Sequence, residues 1–222
     1  MPKLSDADPR LFSHIVRKDR GFAPNPFWGY CTVACCKPAI RRIAQKEDWV
    51  VGLTTRPKGN KLLYAMRITE EPLSFEQYFE DKRFERKKPK WSSSDGKLKC
   101  GDNIYKPLPD GRYQQLASWH SDPDGGENSK RKKKDLRGQF VLVSNEYYYF
   151  GSKPLPLPRN LNGLVVGRGH RSNFSTKTIE ELIRFVSKHS PGCNSLPGDL
   201  QEPSKKGSIP RRGLLKAGRS CK

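Results

Sequence analysis

Apolar residues in the first half of the chain come in short runs, not long stripes. "DWVVGL" (48–53) and "KLLYAMRITE" (61–70) are rich in β-branched and aromatic residues, and the polar stretch 54–60 between them supplies a turn, so the pair predicts a β-hairpin. A short strand is expected at 14–16, followed by a loop punctuated by prolines. Helical spacing fills the gap before the hairpin: in "KPAIRRIAQKEDW" (37–49), Pro38 stands near the first helical position, and Ile40, Ile43 and Ala44 fall at i, i+3 and i+4. Arg41 and Arg42 then lie to the side of the buried stripe. Ser74 and Gln77 have capping-box spacing ahead of a short helix bearing Phe75, Tyr78 and Phe79.

From 87 to 134 the pattern turns polar and loses its period, as expected of a functional loop or a partly disordered insertion. "GQFVLVSNEYYYFG" (138–151) restores a strong strand signature. "KPLPLPRNLNG" (153–163) is extended, and "LVVGRGHRS" (164–172) is a short strand entering a loop. In "TKTIEELIRFVSKH" (176–189) Thr178 and Glu181 form a capping box, while Ile179, Leu182, Ile183 and Val186 give a stripe at i, i+3, i+4 and i+7. This order predicts an α+β fold: a small mixed β-barrel or curved sheet with flanking helices and a long polar insertion. It divides the chain into an N-terminal arm (1–12), one domain (13–198) and a basic disordered tail (199–222).

Charge adds a class of partner. The chain has 222 residues with 43 Lys and Arg against 23 Asp and Glu, a formal net charge of +20. Such a balance favours polyanions, nucleic acid above all, through counterion release. The basic residues are spread out, in "ERKKPK" (85–90), "KRKKKDLR" (130–137), "GRGHR" (167–171) and the tail. No apolar run reaches the roughly 18 residues of a spanning helix, and no charged start leads into an apolar core, so neither a membrane span nor an export signal is expected. Six cysteines, at 31, 35, 36, 100, 193 and 221, form neither a disulfide framework nor paired zinc knuckles. The expectation is a cytoplasmic protein with no bound metal and no cofactor that the sequence requires.

Candidate chemistry gathers at "GFAPNPFWGYCTVACCKPAIRR" (21–42). Phe27, Trp28 and Tyr30 could stack a base, Arg41 and Arg42 add charge, and the start of the following helix, with Lys37, suits a phosphate. Arg168, His170 and Arg171 form a second phosphate-gripping group. A thiol at a helix start can become a nucleophile, which makes Cys36, or its neighbour Cys35, a candidate. His120 in "SWHSD" or His170 would serve as its base, with Asp122 or Asp102 to orient the ring. Packing is the commoner role of each such residue. Asp102, Asp122, Asp124 and Glu127 could hold a divalent ion, though polar turns explain them equally.

The opening stretch, with "DWVVGL", "LLYAMRITE", "GDNIY", "HSDPDG", "VLVSNEYYYFG" and "LVVGRGHRS", resembles the second of the bacterial and phage families called nucleotide modification associated domains, over residues 13–197. The resemblance implies a role in systems that make, read or process modified DNA bases, and brings no catalytic residues with it. The helix, strand, turn and strand of 37–69 also look like the PUA, EVE and ASCH barrels, whose clefts take a nucleotide or a flipped base. Three functions follow: a module that binds DNA or nucleotides, including modified bases; an enzyme that modifies or removes such a base through Cys36, His120 and Asp122; or a nucleic-acid-binding accessory protein held by charge alone.

Overall fold

The computed structural model describes residues 8–199; the tail from 200 onward and the first residues of the arm lie outside that range. Strands run in chain order as β1 (Leu11–Ile15), β2 (Cys31–Val33), β3 (Trp49–Leu53), β4 (Leu62–Arg67), β5 (Leu73–Ser74), β6 (Tyr105–Pro107), β7 (Tyr113–Gln115), β8 (Phe140–Ser144), β9 (Glu146–Tyr149), β10 (His170–Arg171) and β11 (Gly192–Cys193). Helices are α1 (Pro38–Ile43), α2 (Phe75–Glu80), α3 (Gly96–Lys99), α4 (Ser129–Leu136) and α5 (Thr176–Val186). The expected hairpin is β3 and β4, antiparallel, with Val51 opposite Ala65. The arm was expected to reach residue 12, but Leu11 and Phe12 are fully buried in β1, which runs parallel to β3.

The central sheet has six strands in the order β10-β1-β3-β4-β9-β11. It stays open, which corrects the barrel expectation. Its outer members β10 and β11 are two-residue strands that do not pair with each other. Each face is covered instead. Trp49, Val51 and Leu53 of β3 pack with Ala65 and Tyr148 against Ile179, Leu182 and Val186 of α5. Val50, Tyr64, Met66 and Tyr149 point the other way, onto Cys31 and Val33 of β2, Leu142 of β8 and Ile40 of α1. Burial on both faces is why these strands read as unbroken apolar runs.

A second sheet, β2-β8-β5, stands between this layer and a third cluster built from Phe75 and Tyr78 of α2 with Phe84, Ile104 and Tyr105. The capping box at Ser74 and Gln77 is present at the start of α2. The one on α5 is displaced: Ser175 is the cap, its side chain accepting from the Thr178 N–H. α1 is shorter than expected, six residues with Ala44 already extended, so Ile43 is 41% exposed while Arg41 is buried. Residues 87–134 are not an excursion from the core. They bring in Lys87, Asp102, Asn103 and His120, all buried.

Among these buried polar groups, His14 of β1 pairs through Nε2 with the Tyr64 hydroxyl at 2.6 Å. Burial, then the nearby Lys37 charge, pushes its pKa down to about 3. The folded state therefore holds His14 neutral while the unfolded chain protonates it below about pH 6.5, so stability falls as pH drops through that value toward 3. At pH 4.5 this group alone should cost roughly 2–3 kcal/mol. Thermal melts at pH 7 and 4.5 should accordingly show a smaller acid-induced drop in Tm for His14→Gln than for the wild type; equal drops would contradict this.

Candidate functional site

The chain leaves β2 at Val33, turns through Ala34, Cys35, Cys36 and Lys37, and enters α1 at Pro38. Cys36 and Lys37 both adopt left-handed backbone, with φ of 60° and 42°. Such geometry is uncommon for side-chain-bearing residues and persists where its surroundings impose it, often at reactive positions. A tight strand-to-helix turn of this kind lifts a nucleophile out of the backbone around it. Cys36 is half-buried, whereas Cys35 is fully buried.

Three groups meet at this turn. Cys36 Sγ lies 3.5 Å from His120 Nε2. On the far side of the ring, Nδ1 lies 2.5 Å from Asp135 Oδ2. The Asp135 carboxylate closes the circuit, accepting the Cys36 backbone N–H at 2.8 Å and the Tyr105 hydroxyl at 2.8 Å. Phe22 packs edge-on to the imidazole at 4.8 Å. Ser118 Oγ accepts from the His120 N–H. The ring is therefore fixed from several sides.

Electrostatics follow from this arrangement. Burial alone would lower the His120 pKa, but the hydrogen bonds and charges of Asp135 and Cys36 outweigh it and raise it to about 9. Burial likewise disfavours the Asp135 charge, yet His120, the Cys36 N–H and Tyr105 together hold that carboxyl below its ordinary value. A histidine oriented by a buried carboxylate and facing a thiol is the arrangement of cysteine nucleophiles. Cys35, by contrast, has its thiol pushed well above the usual range by burial and by Asp135 and Asp102. It donates to the Asp102 carbonyl at 3.6 Å and serves packing.

One group of potential metal ligands is present among the described residues: Cys35, His120 and Asp135, with donor atoms within 4.8 Å of one another. A cation fits this set poorly. His120 Nδ1 and Asp135 are spent on each other, Cys35 is held protonated, and the Arg41 guanidinium donates to the Asp135 carbonyl.

Asp122 does not orient His120. Its side chain accepts from the Asn128 amide, and its backbone closes a turn with Gly125 and Gly126. Asp124 caps the same turn, and Glu127 holds Lys132, which accounts for the acidic loop without an ion. Asp102 lies on the other side of the Cys35–Cys36 turn, where it accepts from Thr32, the Ala34 N–H and Tyr78. The sequence reading missed Asp135. A signal existed: in "KRKKKDLR" it is the lone acid, and it sits at a helix C-terminal end, where negative charge is disfavoured.

The aromatic and basic candidates separate. Phe27 is buried, the Trp28 ring is covered by the Arg86 guanidinium at 3.6 Å, and Tyr30 packs edge-on against Phe84 with Arg83 above it. Arg41 is buried and donates to the carbonyls of Cys36, Asp135 and Phe140, so it holds structure in place of ligand; Arg42 is exposed. Lys37 Nζ donates to the Ile15 carbonyl at 2.8 Å and stands close to Cys36, Lys134 and Arg17. Arg168 is exposed, His170 is half-buried in edge strand β10, and Arg171 is tied to Asn173 and the Gly163 carbonyl.

Fold and site together define an α+β domain with a cysteine–histidine–aspartate constellation on a strand-to-helix turn. The chain belongs to the nucleotide modification associated domain 2 family, which it matches over residues 8–204. No curated protein and no solved structure matches it. Among the described residues, no helix is long and apolar enough to cross a membrane.

Two outcomes follow. Removing Arg41 takes a charged donor from the carbonyls of Cys36, Asp135 and Phe140, of which Asp135 keeps the Gly138 N–H, so Arg41→Ala should cost roughly 3–5 kcal/mol in denaturant unfolding, while Arg42→Ala stays within about 0.5 kcal/mol. His120 keeps its proton up to about pH 9, so its influence on the thiol belongs below that pH. Iodoacetamide labelling of Cys36, mapped by peptide mass, should differ between wild type and His120→Asn below about pH 9, and the two rates should converge above it.

Proposed function

We propose that this protein is a thiol-dependent enzyme of a nucleotide modification system, acting on a nucleotide or on a base within a nucleic-acid strand. The observation that carries the reading is the Cys36–His120–Asp135 geometry. The proton of the Cys36 thiol rests on His120 Nε2, and the sulfur of that ion pair attacks an electrophilic carbon of the substrate, forming a carbon–sulfur bond. His120, held by Asp135, gives the proton to the leaving group as its bond to that carbon breaks, or, in an addition, to the substrate atom that takes the electron pair of the broken π bond. Asp135 stays ionised throughout and stabilises the imidazolium.

The charge around the thiol suits such a substrate. Lys37, Arg17 and Lys134 are close enough that each of the latter two helps depress the Lys37 pKa, after the larger effect of burial. Lys130, Arg131 and Lys133 are exposed on α4 beside them. This basic rim attracts phosphate and raises the local concentration of a polyanionic substrate. Family membership supplies the nucleotide context.

Acid-quenched incubations with nucleotides and single-stranded oligonucleotides, with and without modified bases, should yield a mass adduct on Cys36. The adduct should be absent from Cys36→Ser and reduced about a hundredfold or more in rate in His120→Asn. Binding of those ligands with neither adduct nor turnover would return the protein to a purely binding role.

A further inference from the structure

The loop that carries His120 also builds a cavity that the thiol chemistry does not use. Trp91 and Trp119 meet at 5.1 Å between ring centroids and 80° between planes, forming a corner. With Ser118, Ser121, Asp122 and Pro123 they line a cavity of about 190 Å³. That lies below the roughly 300–1,000 Å³ of pockets for larger organic ligands and suits a single small ring system.

The indoles are held in place. Arg20 packs its guanidinium over the Trp119 ring at 4.2 Å. The Trp119 indole nitrogen is buried toward the Cys100 thiol without a hydrogen bond of ordinary geometry. The polar groups at the cavity differ in what they can offer. Ser121 Oγ accepts the Ser118 N–H and donates to the Leu116 carbonyl, so it is largely spent inside the loop. Asp122 uses one carboxylate oxygen for Asn128 and has no other side-chain hydrogen bond among the described residues.

Flat aromatic faces, a volume for one ring system and an acceptor at the rim match the chemistry of a nucleobase that presents N–H donors. We propose that this corner is a nucleobase site: the base lies flat on one indole and meets the other edge-on, and Asp122 accepts from an exocyclic amine or ring N–H of cytosine, adenine or guanine. Trp119 is adjacent in sequence to His120, so the base site and the thiol site share one loop. The proposal deepens the nucleotide reading above and rests on it for the identity of the ligand. The base can come from a free nucleoside or from an unpaired position in a strand.

Isothermal calorimetry on the full chain separates these sources. Adenosine, cytidine, guanosine and thymidine form one arm, with ribose 5-phosphate as a ligand lacking a base. Single-stranded oligonucleotides with and without an abasic position form the other. Saturable binding of amino-bearing nucleosides assigns the free base as ligand; binding only by oligonucleotides, weakened by the abasic position, assigns the strand. In either case Trp91→Ala should weaken binding about tenfold or more, and Asp122→Asn should shift preference toward thymidine or a thymine-containing strand. Iodoacetamide labelling of Cys36 in Trp91→Ala should match the wild type, which reports an intact fold and thiol site. Unchanged affinity and base preference in both variants, or binding that ignores the base, overturns the base site while leaving the Cys36 reading standing. Loss of His120-dependent Cys36 reactivity in the wild type would instead remove the enzymatic reading.

Discussion

Arg41 is the constraint on which the site depends. Its guanidinium has no exposed surface and donates to three carbonyls from three separate parts of the chain: Cys36 in the turn after β2, Asp135 at the end of α4, and Phe140 at the start of β8. Burying that charge is unfavourable, and desolvation lowers its pKa. The cost is offset because Asp135 and the two thiols lie near and each guanidinium nitrogen donates one hydrogen bond. The crossing is tight enough that a Cβ on Gly138 would stand 2.4 Å from the Arg41 Cζ, so glycine is required there by space. Once Arg41 is fixed, so are the distance and angle between the Cys36 turn and the Asp135 carboxylate.

Two buried carboxylates then flank the turn, and their surroundings assign them different work. Asp102 takes the Ala34 N–H, Thr32 and Tyr78, and burial raises its pKa despite Lys87. Asp135 takes the Cys36 N–H and faces His120, which holds its pKa down. Opposed shifts in neighbouring acids separate roles in reactive sites generally. Here one acid pins the strand, and the other pins the thiol turn while orienting the histidine. The left-handed backbone at Cys36 and Lys37 is sustained by these bonds, since neither residue would choose it alone.

The sequence made the central sheet legible because burial on both faces left plain apolar runs in β3, β4 and β9, and because turn and cap chemistry is local. It misplaced the sheet's closure, which depends on whether edge strands meet across the fold. The opening motif pointed to Cys36, or its neighbour Cys35, through the place at a helix start, and the polar loop offered His120 as one of two candidate bases beside His170. Asp135 stands out as the lone acid of a basic run, but it is 99 residues from Cys36 in the chain and nothing local ties it to that turn. Arg41 looked like a surface charge because helical spacing says which side a residue takes, and not what packs against that side. The polar insertion had no periodicity for a related reason: besides Ile104 and Tyr105, which join an apolar cluster, it buries Lys87, Asp102, Asn103 and His120, each satisfied by a specific partner rather than by an apolar face.

α4 shows how one short element serves two ranges of interaction. Its outward residues Lys130, Arg131, Lys133 and Lys134 are exposed, so their field reaches solvent and is screened by salt over about 8 Å at physiological ionic strength. Its inward residue Asp135 is buried and hydrogen-bonded, and acts over single bonds that salt does not reach. A positive field at the surface and the orientation of His120 are thereby carried by the same helix through side chains that do not compete. The insertion is thus anchored beside His120: Asn128 caps α4 and donates to the Gln115 side chain, while Gln115 in turn donates to the His120 carbonyl. Because Asp135 also accepts the Cys36 N–H, the end of that helix, the histidine and the thiol turn are tied to one another through a single carboxylate.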